Sequence, residues 1–98
     1  MYRDAISRGY YAMFDAAQAL LQSDGYRPKT HKGVHILLNK HYVKDGRLPK
    51  WVGTTLRNGF DSRQLADYSD RPVSEAHAAD ILRDAERIVQ ELRKRHTP

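Results

Sequence analysis

Two long stretches carry apolar side chains at helical spacing, and this leaves little choice of fold. Near the N-terminus Ile6, Tyr10, Met13, Ala17 and Leu20 recur at intervals of four, three, four and three. Toward the C-terminus Ala78, Ile81, Ala85, Ile88 and Leu92 recur at three, four, three and four. An α-helix turns once in about 3.6 residues, so each series falls on one stripe. Phe14 and Leu21 widen the first stripe, while Asp4, Arg8, Asp15, Gln18 and Gln22 lie largely on the other side. The second series has the period of a coiled coil. The same period also marks the core face of a bundle helix, and that is the expectation here.

Punctuation residues delimit two shorter helices between these. Asp24-Gly25 stops the first helix, which spans about Tyr2 to Gln22, because glycine suits the left-handed turn after a C-terminus. Pro28 holds Arg27 extended in the loop that follows. Thr30 is placed to cap a second helix running to about Val43, with Val34, Leu37, Leu38, His41 and Tyr42 inward. After the Asp45-Gly46 turn, Pro49 is expected at the first position of a third helix. Trp51, Val52, Leu56 and Phe60 carry that helix to about Ala66 or Asp67. Ser69 to Val73 is a break, and Ser74 caps the fourth helix. Glu75 suits its first turn and Arg93-Lys94-Arg95 its last. No strand, internal repeat or low-complexity run is evident. The expected fold is an all-α antiparallel four-helix bundle, with residues 1–98 as one domain.

Composition narrows the function classes. The 98 residues contain no cysteine, which excludes disulfides, a thiol nucleophile and a zinc–thiolate site. No apolar run approaches the ~20 residues that span a bilayer, and Met1-Tyr2-Arg3-Asp4 lacks the apolar core of a signal peptide. The expectation is a cytoplasmic protein with no membrane partner. The net charge of +5 is unevenly placed. Arg27, Lys29, Lys32, Lys40, Lys44, Arg47 and Lys50 face only Asp45 between Tyr26 and Lys50, which leaves the rest of the chain slightly acidic. This basic quarter reads either as a phosphate-binding surface or as a solvated lysine-rich helix.

The third helix ends in a chemical anomaly. Its apolar face runs Val52, Leu56, Phe60, and the next steps of three and four land on Arg63 and Asp67. A guanidinium therefore points where the core stripe points. Such a charge is costly to bury unpaired, so it is either satisfied within the structure or held for a ligand. Asp67 lies four residues beyond Arg63, as Asp61 does beyond Arg57, so both acids have an intrahelical ion-pair reading. Tyr10 belongs to the core stripe, whereas Tyr11 falls with Arg8 and Asp15 in a polar cluster. His31 and His35 are four apart on the second helix, but the usual glutamate between two zinc ligands is absent and Lys32 repels a cation. Metal binding is not expected. His31 is read as hydrogen-bonding at the helix start, and His35 as lying at a surface or interface. Ser7 and Ser62 have no base placed by spacing, and the glycines form no phosphate loop.

Four blocks of this chain resemble one family. Ser7-Arg8-Gly9-Tyr10-Tyr11-Ala12-Met13-Phe14 resembles the Ser-Arg-x-Tyr-Tyr-Ala-x-Phe signature of HEPN-domain proteins, most closely the UPF0332-type branch of bacteria and archaea. Lys29-Thr30-His31-Lys32-Gly33-Val34, the linker Val43 to Pro49, and Arg63-Gln64-Leu65-Ala66-Asp67-Tyr68 resemble further segments of that family, in order. The resemblance implies a helical bundle that forms a homodimer or higher oligomer, with polar residues of both copies lining a shared cleft. It implies a toxin-like component paired with a minimal nucleotidyltransferase antitoxin. Active members are metal-independent ribonucleases that need no cofactor.

By that analogy Arg63 holds the scissile phosphate, with Asp67 and Tyr68 in support. Arg8, Tyr11, Lys29, His31, Lys32 and Arg71 are the candidate RNA- or nucleotide-binding residues. The chain departs from the family pattern in two respects. Where the motif's histidine would follow Arg63, Tyr68 stands instead. This leaves open a non-cleaving cleft, nucleotide transfer to Tyr68 by a partner enzyme, or a non-enzymatic module that binds the nucleotidyltransferase. The family also usually has a helix before Tyr2. Lacking that cover, Ile6, Met13 and Leu82 are expected to be partly exposed and to favour association.

Overall fold

The structure, a computed structural model, describes residues 2–69 and 72–95. Four helices follow in order: α1 (Tyr2–Ser23), α2 (His31–Leu38), α3 (Lys50–Tyr68) and α4 (Glu75–Arg95). A π-helical turn, Asn39–Val43, prolongs α2. The chain is all-α, as the apolar periodicity requires.

Cross-helix contacts fix the directions. Arg3 meets Ala66 and Tyr10 meets Phe60, so α3 runs against α1, and Ser62 joins α3 to His77 in the first turn of α4. Tyr10 also meets His31, and Tyr42 meets Leu20, so α2 runs alongside α1 in the same sense. The segment between Ser23 and His31 makes this arrangement by carrying the chain back along α1. Extended chain covers about 3.3 Å per residue against 1.5 Å per residue for helix, so a short loop suffices.

The caps are those the residues announce. Thr30 Oγ1 accepts from the Gly33 N–H at 2.9 Å, and Ser74 Oγ from the His77 N–H at 3.0 Å. Pro49 departs from expectation by one position. Its ψ of 153° is extended, so it is the N-cap and α3 starts at Lys50.

The core is built from the predicted stripes. Ala78, Ile81, Ala85, Ile88 and Leu92 are all buried, which makes α4 a bundle helix whose heptad face is its core face. The partial exposure expected of Ile6 and Met13 is not observed: both are fully buried. Close helix approach explains this. A Cβ on Gly59 would lie 3.1 Å from Met13 Cε, so α3 closes over that side chain, and one on Gly9 would lie 2.9 Å from Ile81 Cγ2. Leu82, pointing away from the stripe, stays 46% exposed as expected.

One end of the bundle is clasped. Gly25 (φ 95°) and Gly46 (φ 79°) make the left-handed turns that follow α1 and α2. Beside them, Asp24 accepts a hydrogen bond from the Tyr42 hydroxyl and pairs with Arg47 at 3.2 Å. The Arg47 guanidinium also covers the Tyr42 ring at 4.4 Å. Burial first, then the Asp24 hydrogen bond, pushes the Tyr42 phenol well above its ordinary value.

Candidate nucleic-acid interface

The arrangement begins with two adjacent tyrosines on α1. Tyr10 sits wholly inside, whereas Tyr11 is 36% exposed. A buried phenol needs a polar partner, and α2 supplies two. The Tyr10 hydroxyl lies 2.9 Å from His31 Nδ1 and 3.3 Å from His35 Nε2. One hydroxyl serves both imidazoles if it donates to one ring nitrogen and accepts from the other. His31 stacks on Phe14 with ring centres 4.2 Å apart, and Phe60 of α3 stands edge-on to both Tyr10 and His35.

Burial shapes the proton affinities. It pushes the Tyr10 phenol up to about 12, against the opposing pull of the Arg63 charge. The His31 pKa is lowered by burial first and by Arg63 second. The His35 pKa is lowered by burial, then by Arg57 and His31, with Asp61 acting the other way. Both imidazoles are therefore neutral at pH 7 and able to accept a proton.

Arg63 completes the cluster from α3. Its guanidinium carbon lies 5.1 Å from the centre of the Tyr11 ring, whose edge contact with His31 spans 6.0 Å. Arg63 Nε is 3.2 Å from Asp67 Oδ2, so the intrahelical pair read from spacing forms. The pair is a charge contact without hydrogen-bond alignment, and Nε is buried with no hydrogen-bond partner. The two side chains remain 19% and 31% exposed. Arg63 is thus partly neutralised, stacked on an aromatic face and still in reach of solvent.

The structure brings Arg63, Asp67, Tyr11 and His31 together. The contacts of Tyr11 run across to α2 and α3, a connection that the polar cluster with Arg8 and Asp15 did not anticipate. Arg8 is exposed on α1, and Lys29 is exposed in the loop before Thr30. Tyr68 is the last residue of α3 and 77% exposed. Arg71 lies outside the described residues. Lys32 borders a groove between α2 and α3 of about 660 Å³, which His31, His35, Asn39, Arg57 and Phe60 also line.

Sequence reasoning missed the role of Tyr10. His31, at the helix start, bonds to the Tyr10 hydroxyl, and half-buried His35, which lines the groove between α2 and α3, is held against that hydroxyl as well. The available signal was the tyrosine in a core stripe, whose hydroxyl had to be satisfied by something distant in sequence. Among the described residues no cluster of side chains is suited to hold a metal ion, and no helix is long and apolar enough to cross a membrane.

Comparison with known proteins agrees with the motif blocks. A family profile described as HEPN domain matches residues 1–95. A Methanocaldococcus jannaschii protein named "Putative toxin MJ0605" is 34% identical over 96% of this chain and 70% of its own length. A UPF0332 protein of Thermotoga maritima is 32% identical over 92% of this chain and 69% of its own. The UPF0332 protein PH1297 of Pyrococcus horikoshii is 50% identical over a shorter stretch, 64% of this chain and 44% of its own. The chain belongs to the HEPN domain family.

Proposed function

We propose that this chain is a toxin-like HEPN component that binds RNA in a cleft between two copies and cleaves it without a metal. The observation that carries the reading is the meeting of Arg63 and His31 around Tyr11. Although Tyr68 replaces the motif histidine in sequence, α2 delivers an imidazole from elsewhere in the chain.

Neutral His31 takes the proton of an RNA 2′-hydroxyl. The 2′-oxygen attacks the adjacent phosphorus, forming a bond to it as the bond to the 5′-oxygen breaks. The products are a 2′,3′-cyclic phosphate and a 5′-hydroxyl, whose proton comes from the imidazolium just formed or from water. Arg63 opposes the negative charge that grows on the phosphoryl oxygens. Asp67 holds the guanidinium in place, and the basic 26–50 segment draws RNA in. The toxin names of two methanococcal relatives support the biological role.

The test is cleavage of single-stranded RNA by the pure protein in chelator, with light scattering to establish the dimer. Arg63→Ala should abolish cleavage while the helical spectrum and melting stay intact. Persistent cleavage in that variant would refute the assignment.

A second reading is favoured by the exposure of Leu65 (56%) and Tyr68 (77%) at the end of α3. These residues offer a docking surface for a minimal nucleotidyltransferase, with the Tyr68 phenol as an acceptor for nucleotide transfer. Retained partner binding in Arg63→Ala, together with no RNA cleavage by the parent protein, would favour it.

A further inference from the structure

The groove between α2 and α3 is separate from the Arg63–Asp67 pair, yet shares a wall with it. His31 faces both. Its volume of about 660 Å³ is within the range of small-molecule sites. The lining is chemically mixed. Half-buried Phe60 offers an aromatic surface, exposed Lys32 a cation at the rim, and Asn39 a side-chain amide. Arg57 adds a second cation, but it is paired with Asp61 at 3.3 Å, so Lys32 is the cation less committed to an acid.

Asn39 sits at an irregular point of the backbone. It opens the π-helical turn, in which the Lys44 N–H bonds to the Asn39 carbonyl at 2.9 Å. Single π turns within helices often accompany functional sites. Across from it, α3 carries Gly53, and a Cβ there would overlap Asn39 Oδ1. The absence of a side chain at position 53 therefore creates the seat in which the Asn39 amide rests against α3. An aromatic surface, a side-chain amide and a rim cation are the three elements that single-stranded nucleic acid meets in a protein: stacking, base-edge hydrogen bonding and phosphate attraction.

We infer that this groove is a nucleotide subsite, taking the base beside the scissile linkage, with Phe60 and Asn39 contacting the base and Lys32 its phosphate. The inference rests on the RNA reading for its biological meaning, but binding of a free nucleotide tests it separately. Occupancy would place the next phosphate toward His31 and Arg63. Sequence preference at that one position would then come from Asn39, and general RNA affinity from the basic segment.

The experiment titrates the isotope-labelled full chain with AMP and, in parallel, with ribose 5-phosphate, which lacks the base. Backbone and side-chain amide signals of Ile36, Asn39 and Phe60 should shift with AMP. AMP should bind about tenfold tighter than ribose 5-phosphate, the order expected of one base–aromatic stack. Asn39→Ala, at an exposed position that should not disturb folding, should narrow that difference without abolishing it, because the stack on Phe60 remains. Arg63→Ala should leave AMP binding in place. Equal affinity for the two ligands, shifts confined to Tyr11 and Arg63, or no binding at millimolar AMP would overturn the subsite. If AMP binds as stated but the protein cleaves no RNA in chelator, the subsite stands and the ribonuclease reading fails.

Discussion

The hydroxyl of Tyr10 lies 2.9 Å from His31 Nδ1 and 3.3 Å from His35 Nε2, so one core side chain of α1 organises two imidazoles of α2. Replacing it by phenylalanine keeps the ring packing and strands two half-buried ring nitrogens. Tyr10→Phe should cost about 1–2 kcal/mol, the range for removing one partner of a buried polar contact. Urea unfolding should show a lower midpoint with an unchanged slope. Tyr11→Phe, at a more exposed position, should unfold within about 0.5 kcal/mol of the parent.

Stability should fall in mild acid. The folded-state pKa values of His31 and His35 lie below the ordinary 6.5, so the unfolded chain binds protons first as pH drops. The stabilisation is complete above the unfolded value and is lost progressively between 6.5 and the lowered folded values. Urea midpoints measured from pH 7.5 to 5 should trace that decline. A double His31→Gln, His35→Gln variant should flatten it.

The charge of Arg63 should be readable at His31. Arg63 is the second cause of the lowered His31 pKa and is not among the causes acting on His35. In Arg63→Gln the His31 pKa should rise, stopping short of 6.5 because burial is the larger cause. His35 should not rise with it, because Arg63 is not among the causes acting on it and the His31 charge only lowers it. Arg57→Gln should give the converse pattern, raising His35. Ring-proton NMR titrations resolve all four values, and a His31 pKa indifferent to Arg63 would contradict the shared site.

Gly53→Ala separates backbone preference from groove shape. Alanine is favoured over glycine within a helix by about 0.8–1 kcal/mol. The overlap it creates falls on the tip of an exposed asparagine, which can swing aside. The expected result is equal or greater stability with a displaced Asn39 side-chain amide signal. A loss beyond about 1 kcal/mol would mean that Asn39 is held more firmly than its exposure indicates.

The helices and the core were legible because their cause is local. Spacing of three and four placed Ile81 and Ile88 inward, and Thr30 and Ser74 announced their own helix starts. Arg63 was legible as an anomaly for the same reason, along with its pairing to Asp67. The partners of Tyr10 were not, since they stand 21 and 25 residues away and meet it only because the loop after α1 doubles back. That return also explains how an imidazole reaches Arg63 although none follows it within the motif. The π turn had no signature either, because a shifted hydrogen-bond register can be adopted by ordinary helix formers such as Lys40 and Tyr42. The burial of Ile6 and Met13 escaped because the closeness of two helices depends on what Gly9 and Gly59 lack.

The carboxylate of Asp24 touches groups from both sides of the second chain reversal, Tyr42 before Gly46 and Arg47 after it, while itself preceding Gly25. The two bends are therefore mechanically one object. Neither can open without straining the other, and a chain that has closed the first already holds the acceptor that selects the second. Fluctuations of the protein should accordingly be quenched at that pole and freer at the opposite one, where α3 ends at exposed Tyr68.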